Sequence, residues 1–161
     1  MKEIMDLLTF AAVLGSALVA GIFYAFSTFI MRALGQLPAS QGIDAMKSIN
    51  VTVINPWFFL AFLGTGVVCI AMAILAYGNA AGAIRVYLLA GCALYLIGCI
   101  LVTIVFNVPL NDRLASTGPD SSGAEAMWKH YLSRWTLWNH VRTAAPLAAA
   151  GLFAMALRGG N

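Results

Sequence analysis

The stretch VYLLAGCALYLIGCILVTIVF, residues 86–106, contains no charged side chain and no proline. It has the length of about 20 residues that an α-helix needs to cross about 30 Å of hydrocarbon. Three further apolar stretches of comparable length lie at residues 7–31, 56–76 and 139–157. The sequence therefore predicts an all-α fold, a four-transmembrane-helix bundle, with both termini on the same side of the membrane.

The composition of the chain points to the same class. Of its 161 residues, 61% are hydrophobic and only 9% are charged, and the mean hydropathy is +0.88. Soluble domains carry about 25% charged residues, so we expect one integral membrane domain over residues 1–161, in the bacterial inner (cytoplasmic) membrane. The net charge of +3 includes no basic block. The lipid bilayer is therefore an expected partner, and nucleic acid is not.

The connections between the spans are unequal. The second, residues 77–85, is short, whereas the first and third are long and lie together on the opposite side of the membrane. Helical spacing in the first connection predicts a short interfacial helix through Ile43, Met46, Asn50 and Val53. Pro146 lies inside the fourth span. Because proline lacks an N–H, we predict an extended fourth helix that is kinked at this position.

Lysine and arginine are distributed unevenly across the predicted membrane. Six lie on the side of the two long connections and three on the side of the termini. The positive-inside rule then places the long connections in the cytoplasm. Small residues at Ala17, Gly21 and Ala25, and at Gly91 and Gly98, would let helices approach closely in lipid. They are compatible with packing inside one chain and with a homo-oligomer.

Polar and aromatic residues gather at one end of the predicted bundle, the end that carries the long connections. They are Ser27, Arg32, Asn50, Asn55, Asn107, Asn111, Trp135, Trp138, Asn139, His140 and Arg142. Ionisable groups close to the hydrocarbon core are costly, and they usually line a cavity or pair with one another. We therefore expect the functional site at this end.

The segment WTLWNHVRT, residues 135–143, carries most of this set. At 100° per residue, Trp135, Asn139 and Arg142 share one arc of a helix, and His140 falls in the adjoining arc. This pattern predicts a helix that lines a polar pocket. Simpler explanations exist for single residues. The tryptophans are typical interfacial anchors, Arg142 can extend to lipid headgroups, Asn55 and Asn107 can cap helices, and His140 can be a packing residue.

The sequence offers no metal site. Its two histidines, His130 and His140, would lie about 15 Å apart on a continuous helix and cannot share one metal or one haem. There is no nucleotide-binding loop and no nucleophile elbow. The three cysteines all fall inside spans, where cysteine usually serves as a small packing residue.

Four motifs together are similar to one known family. They are GIFYAFSTF at residues 21–29, the Asn50…Asn55-Pro56 pair, NVPLN at 107–111 and WTLWNHVRT at 135–143. The chain resembles the anthrone oxygenase-like family of small four-span membrane proteins, whose fungal members act in polyketide pathways. The resemblance implies a membrane oxygenase that oxidises an anthrone to an anthraquinone with O2 and without a prosthetic group.

The residues suit such chemistry, which needs a base, donors for a developing oxyanion and a stacking surface. We assign His140 as the base, because histidine exchanges protons near neutral pH, and Arg142 and Asn139 as its catalytic partners. A lipophilic substrate and O2 would then contact Asn50, Asn55, Asn107, Asn111, Trp135, Trp138 and Tyr24. Two other functions stay open: non-catalytic binding of a quinone, haem or other lipophilic ligand in the same pocket, and a structural role in which the polar end contacts another protein.

Overall fold

Five helices build the protein, as seen in a computed structural model that describes residues 2–118 and 121–159. Of the described residues, 91% are helical, and none of them forms a strand. The helices are α1 (Lys2–Leu34), α2 (Ala39–Thr52), α3 (Pro56–Asn79), α4 (Gly82–Ser116) and α5 (Ala124–Gly159). Helices α1, α3, α4 and α5 are long and apolar enough to cross a membrane. The predicted four-span bundle is confirmed, and the protein is an integral membrane protein.

Local sequence explains where these helices begin. Asn55 caps α3, because its side-chain oxygen accepts hydrogen bonds from the N–H groups of Trp57 and Phe58, and Pro56 occupies the first helical position. Gly82 allows the tight turn between α3 and α4, since its φ of 54° lies in the left-handed region. The predicted helix in the first connection is α2, and it buries Ile43 and Met46.

The four spanning helices form a closed bundle in which α5 packs against α1 and α4, and α3 packs against the same two helices from the other side. Glycines permit the close approach of α4 and α5. A Cβ added at Gly98 would overlap the Cβ of Ala145, and one added at Gly91 would overlap the Phe153 ring. Gly21 on α1 is exposed with no atom near its missing Cβ. The small residues of α4 therefore pack inside the chain, whereas Gly21 does not.

Helix α5 extends beyond the bundle, as predicted, and forms a second core with the long connections. We call this part the cap: α2, the end of α4 and the first turns of α5. Its core includes Met46, Leu114, Trp128 and Tyr131. Lys47 closes the cap by donating a hydrogen bond to the Thr117 carbonyl, at 2.6 Å. Helix α5 continues through the buried Pro146, and the kink there stays a prediction.

Three of the spanning helices contain π-helical turns at the same end of the bundle, a feature that the sequence did not predict. They lie at Phe26–Ile30 in α1, Leu60–Gly64 in α3, and Leu96–Leu101 and Thr103–Asn107 in α4. A π turn bonds each N–H to the carbonyl five residues earlier, so nearby carbonyls lose their usual partners and become free for side chains. At the π turn of α3, the Tyr95 hydroxyl donates to the Phe62 carbonyl at 2.8 Å, and the same carbonyl accepts from the Thr65 N–H.

Candidate functional site

A buried arginine lies at the centre of the polar end of the bundle. Arg142 on α5 is only 5% exposed. Its guanidinium carbon lies 4.2 Å from the ring centroid of Phe23 on α1 and 4.5 Å from that of Trp135 on α5. Nε donates a hydrogen bond to Asn139 Oδ1 at 3.0 Å, and Nη1 makes a long contact of 3.5 Å with Thr103 Oγ1 on α4. We call these residues, with Asn107, the Arg142 cluster.

No carboxylate neutralises this guanidinium within the described residues. The one salt bridge among residues 2–118 and 121–159 joins Lys129 to Glu125, on the exposed surface of the cap. A buried charge without a counter-ion is costly unless something else compensates for it. The two aromatic faces compensate in part by cation–π attraction. The arrangement leaves positive potential available to a ligand that carries a negative charge.

Asn139 anchors the cluster to α1. The residue is fully buried, and its Nδ2 donates to the Phe23 carbonyl and to Ser27 Oγ, both at 2.7 Å. Phe23 lies three residues before the π turn of α1, which begins at Phe26. Thr143 completes the contact through a 3.0 Å hydrogen bond with Ser27. Every hydrogen-bonding atom of the Asn139 amide is therefore engaged by protein groups.

Asn107 has an unused acceptor in the same region. Its side chain is fully buried, and Nδ2 donates to the Trp135 carbonyl at 3.2 Å. Its Oδ1 has no hydrogen-bond partner among the described residues. A buried acceptor without a donor costs about 1–3 kcal/mol. The unused acceptor lies on α4, and its amide is bonded to the carbonyl of Trp135, the residue whose ring stacks on the Arg142 guanidinium.

A second layer connects the cluster to the cap. Asn111 Oδ1 accepts two hydrogen bonds, from the Tyr131 hydroxyl at 2.8 Å and from Trp135 Nε1 at 2.9 Å. The Asn50 side chain of α2 lies next to the same Tyr131 hydroxyl. This layer fixes the indole that stacks on Arg142. Asn50 and Asn111 are thus brought close to Trp135, as the sequence suggested. They are linked to the guanidinium through the Trp135 ring and not directly.

The structure does not bring His140 to this cluster. His140 is exposed on the outside of α5, whereas Arg142, two positions further along, is buried. Two residues turn a helix by about 200°, so the two side chains leave α5 on opposite sides. His140 therefore faces away from Asn139 and Arg142, and its role as the base stays a prediction.

Three other predicted site residues also lie apart from the cluster. The Asn55 side chain forms the N-terminal capping hydrogen bonds of α3. Trp138 is half-buried and stacks on Phe106, with ring centroids 3.6 Å apart. Tyr24 is 58% exposed on α1. The predicted substrate contacts of these residues stay predictions.

An open groove runs along the seam between α1 and α5. Its volume is about 540 Å³. It is lined by residues that include Ser27, Thr28, Met31, Arg32, Leu132 and Thr136. Ser27 links the groove to the Arg142 cluster, since it lines the groove and accepts a hydrogen bond from Asn139. Tyr24 and His140 lie one helical turn beyond Thr28 and Thr136, so helical periodicity puts them at the inner end of the groove.

A separate cleft of about 440 Å³ opens at the opposite end of the bundle, where Lys2, Asp6 and Asn79 lie. It contains none of the predicted site residues. No group of three His, Cys, Asp or Glu side chains within the described parts of the chain is arranged to hold a metal ion.

Sequence reasoning placed Ser27 at the polar end but gave it no role, and it missed Phe23 and Thr103 as parts of the site. Phe23 looked like an ordinary apolar residue of a span. The signal available for the other two was a hydroxyl in an otherwise apolar helix, and such residues often serve only to satisfy a helical carbonyl. What makes them neighbours of Arg142 is the packing of three helices.

Comparison with known proteins gives one family. A family model described as anthrone oxygenase matches residues 57–152, well over half of the chain. The match contains the α4 and α5 members of the Arg142 cluster, and Phe23 and Ser27 lie outside it. No curated protein and no solved structure matches the chain.

Proposed function

This chain belongs to the anthrone oxygenase family, and we propose that it oxidises a flat, lipophilic aromatic ketone of the anthrone type with O2. The observation that carries the proposal is the buried, unpaired guanidinium of Arg142 between two aromatic rings. An anthrone loses a proton from its methylene group to give an enolate with a delocalised negative charge. A fixed positive charge beside aromatic faces suits such an anion.

The chemistry needs no prosthetic group. The enolate passes one electron to O2, and the resulting carbon radical and superoxide combine to form a C–O bond. The peroxide takes up one proton from solution, which balances the proton lost when the enolate formed, and it then eliminates water to leave a new carbonyl. In sum, one CH2 group and one O2 become one C=O group and one H2O. Arg142 stabilises the anionic charge first on the enolate and then on the reduced oxygen.

We propose that the substrate is already an enolate when it reaches Arg142. The described residues of the cluster include no carboxylate and no imidazole, and therefore no evident base. Proton loss in the aqueous interface, with buffer as the acceptor, removes the need for one. The role of the protein is then to select the anion and hold it where O2, which dissolves well in lipid, can reach it.

Entry to the cluster requires helix movement, because Arg142 and Asn107 are almost completely buried. The seam between α1 and α5 is the proposed route. Its outer side is the groove, its inner side is the Ser27–Asn139 contact, and α1 has a π turn at this level. Such turns interrupt the regular helical hydrogen bonds and are common at functional sites.

The first experiment is oxygen uptake by the detergent-purified protein with a simple anthrone, beside a protein-free autoxidation control. Replacing Arg142 by Gln should lower the protein-dependent rate by about 100-fold or more, as is typical when a donor to an oxyanion is removed. Arg134→Gln, on the exposed cap portion of the same helix, is the matched control and should keep the rate. Equal rates for both variants would reject Arg142 as the stabilising group.

A second candidate function is binding without catalysis, for a quinone or another lipophilic ligand. The lack of an evident base among the described residues of the cluster favours it. Oxygen uptake equal to autoxidation, combined with tight binding of an anthraquinone that Arg142→Gln abolishes, would support this alternative and reject the oxygenase.

A further inference from the structure

Asn139 occupies the position beside Arg142 where a carboxylate would be expected. Its Oδ1 lies 3.0 Å from Arg142 Nε, and both residues are buried. Buried arginines are normally paired with an acidic side chain, because an isolated charge is expensive to remove from water. Here a neutral amide takes that place, so the guanidinium is held in position while its charge is not cancelled.

The amide nitrogen of Asn139 explains how the side chain is held beside Arg142. Nδ2 donates to the Phe23 carbonyl and to Ser27 Oγ on α1. A carboxylate could not donate either bond. The amide thus ties α1 to α5 and presents one acceptor to the guanidinium. Because all its polar atoms are used, Asn139 has no free donor for a substrate oxygen.

We propose that Asn139 is a positioning residue that makes the site selective for a ligand carrying one negative charge. It orients Arg142 against Phe23 and Trp135 and leaves the full positive charge to the ligand. The inference rests on the proposed function for the identity of that ligand, an aromatic oxyanion. It goes further by assigning charge selectivity to an amide that does not touch the ligand.

The test uses binding and needs no turnover. The probe is 2-hydroxyanthraquinone, whose phenol ionises reversibly and whose anion absorbs at longer wavelength than the neutral form. The full-length protein in lipid nanodiscs is titrated with the probe on both sides of this ionisation. We expect the wild type to bind the anion about tenfold or more tightly than the neutral form, as a desolvated charge pair should. Asn139→Asp should abolish this ratio, because the new carboxylate neutralises Arg142.

A second pair of variants guards against a folding defect in Asn139→Asp, which also loses two hydrogen bonds to α1. Thr103 contacts the other side of the guanidinium. Thr103→Asp brings a carboxylate to Arg142 with Asn139 intact, and Thr103→Asn is the neutral control of the same shape. The anion preference should be lower in Thr103→Asp than in Thr103→Asn, and this difference between two variants of the same shape is the test.

The outcomes separate the two proposals. If either carboxylate variant folds and keeps the wild-type preference for the anion, the selectivity does not depend on an uncompensated Arg142 and the inference is rejected. A wild type without any preference rejects it as well. If the preference behaves as expected but no anthrone is oxidised, the inference stands and only the oxygenase proposal fails.

Discussion

Arg142 differs from every other arginine of the described chain because its charged group is buried without a counter-ion. It is buried between Phe23 and Trp135, and its hydrogen-bond partners in the described chain are an amide and a hydroxyl. Such an arrangement costs free energy of folding, and proteins retain costly groups mainly where they act on ligands. At the scale of single residues, the site is therefore defined by what has been left unpaired: the guanidinium of Arg142 and Oδ1 of Asn107.

His140 gives the sharpest prediction at this scale. Because it is exposed on the side of α5 opposite to Arg142, His140→Ala should keep the rate of anthrone oxidation within about threefold. The dependence of the rate on pH should also be unchanged, since in the proposed mechanism it follows ionisation of the substrate. Stopped-flow absorbance at several pH values measures both. A loss of about 100-fold would instead identify His140 as the base and move the substrate into the groove.

At the scale of helices, two structural features shape the site that no single residue explains. One is the set of π turns in α1, α3 and α4, all at the polar end of the bundle. Near these turns, Asn139 and Tyr95 donate hydrogen bonds to carbonyls of neighbouring helices. The other is the close packing of α4 on α5 through Gly91 and Gly98. Together they decide which side of each helix faces the site.

The packing of α4 on α5 can be tested with one glycine and a matched control. In Gly98→Val the new side chain would overlap Ala145, which cannot move away as a long side chain could. We expect a loss of about 1–3 kcal/mol of stability, as in other overpacked cores. Gly21→Val, at the exposed glycine of α1, should change stability by less than about 0.5 kcal/mol. Thermal unfolding in one detergent compares them, and equal melting temperatures would contradict the α4–α5 contact.

The seam between α1 and α5 is the element on which substrate entry depends. Thr28→Cys and Thr136→Cys place one thiol on each wall of the groove, and the three native cysteines are buried. A short cleavable bismaleimide that joins the pair should stop anthrone oxidation while leaving the fold intact. Cleaving the linker should restore it. Each single-cysteine protein treated in the same way is the control. Full activity of the cross-linked protein would exclude this seam as the route.

The whole molecule has two ends with different roles. The bundle end that holds the termini carries a cleft with none of the predicted site residues. The other end carries the Arg142 cluster and is covered by the cap, whose core continues from Met31 through Tyr131 to Trp135. Hydrogen bonds from Tyr131 and Trp135 to Asn111 join the cap to the site. The cap therefore helps to hold the indole on which Arg142 rests.

Orientation in the membrane is a prediction for the whole molecule. Six of the nine lysines and arginines lie on the side of the cap, so the positive-inside rule places the cap in the cytoplasm. Single cysteines at exposed positions report the side: Ser48→Cys and Ser121→Cys in the cap, and Ala81→Cys at the opposite end. In inverted membrane vesicles an impermeant maleimide should label only the cap positions. Labelling of Ala81→Cys alone would reverse the orientation, and labelling at both ends would contradict the four-span topology.

The sequence by itself determined the fold class, the four spans, the helix in the first connection and the extended α5, because hydropathy and chain length are local properties that the bilayer converts directly into helices. It also placed the polar residues at one end, since alternating spans bring the two long connections to the same side. The family resemblance, too, needed only the motifs along the chain.

Only the tertiary structure decided which polar residues share a site. On the helical wheel, His140 and Arg142 both belonged to polar arcs, and nothing local distinguished them. The packing of α1 and α4 against α5 buried Arg142 and left His140 outside. Helix faces are chosen by contacts between segments far apart in the chain, and the π turns of α1, α3 and α4 shift those faces in a way that regular 100° periodicity does not anticipate. For that reason Phe23 and Thr103 could be assigned to the site only from the packing of the helices.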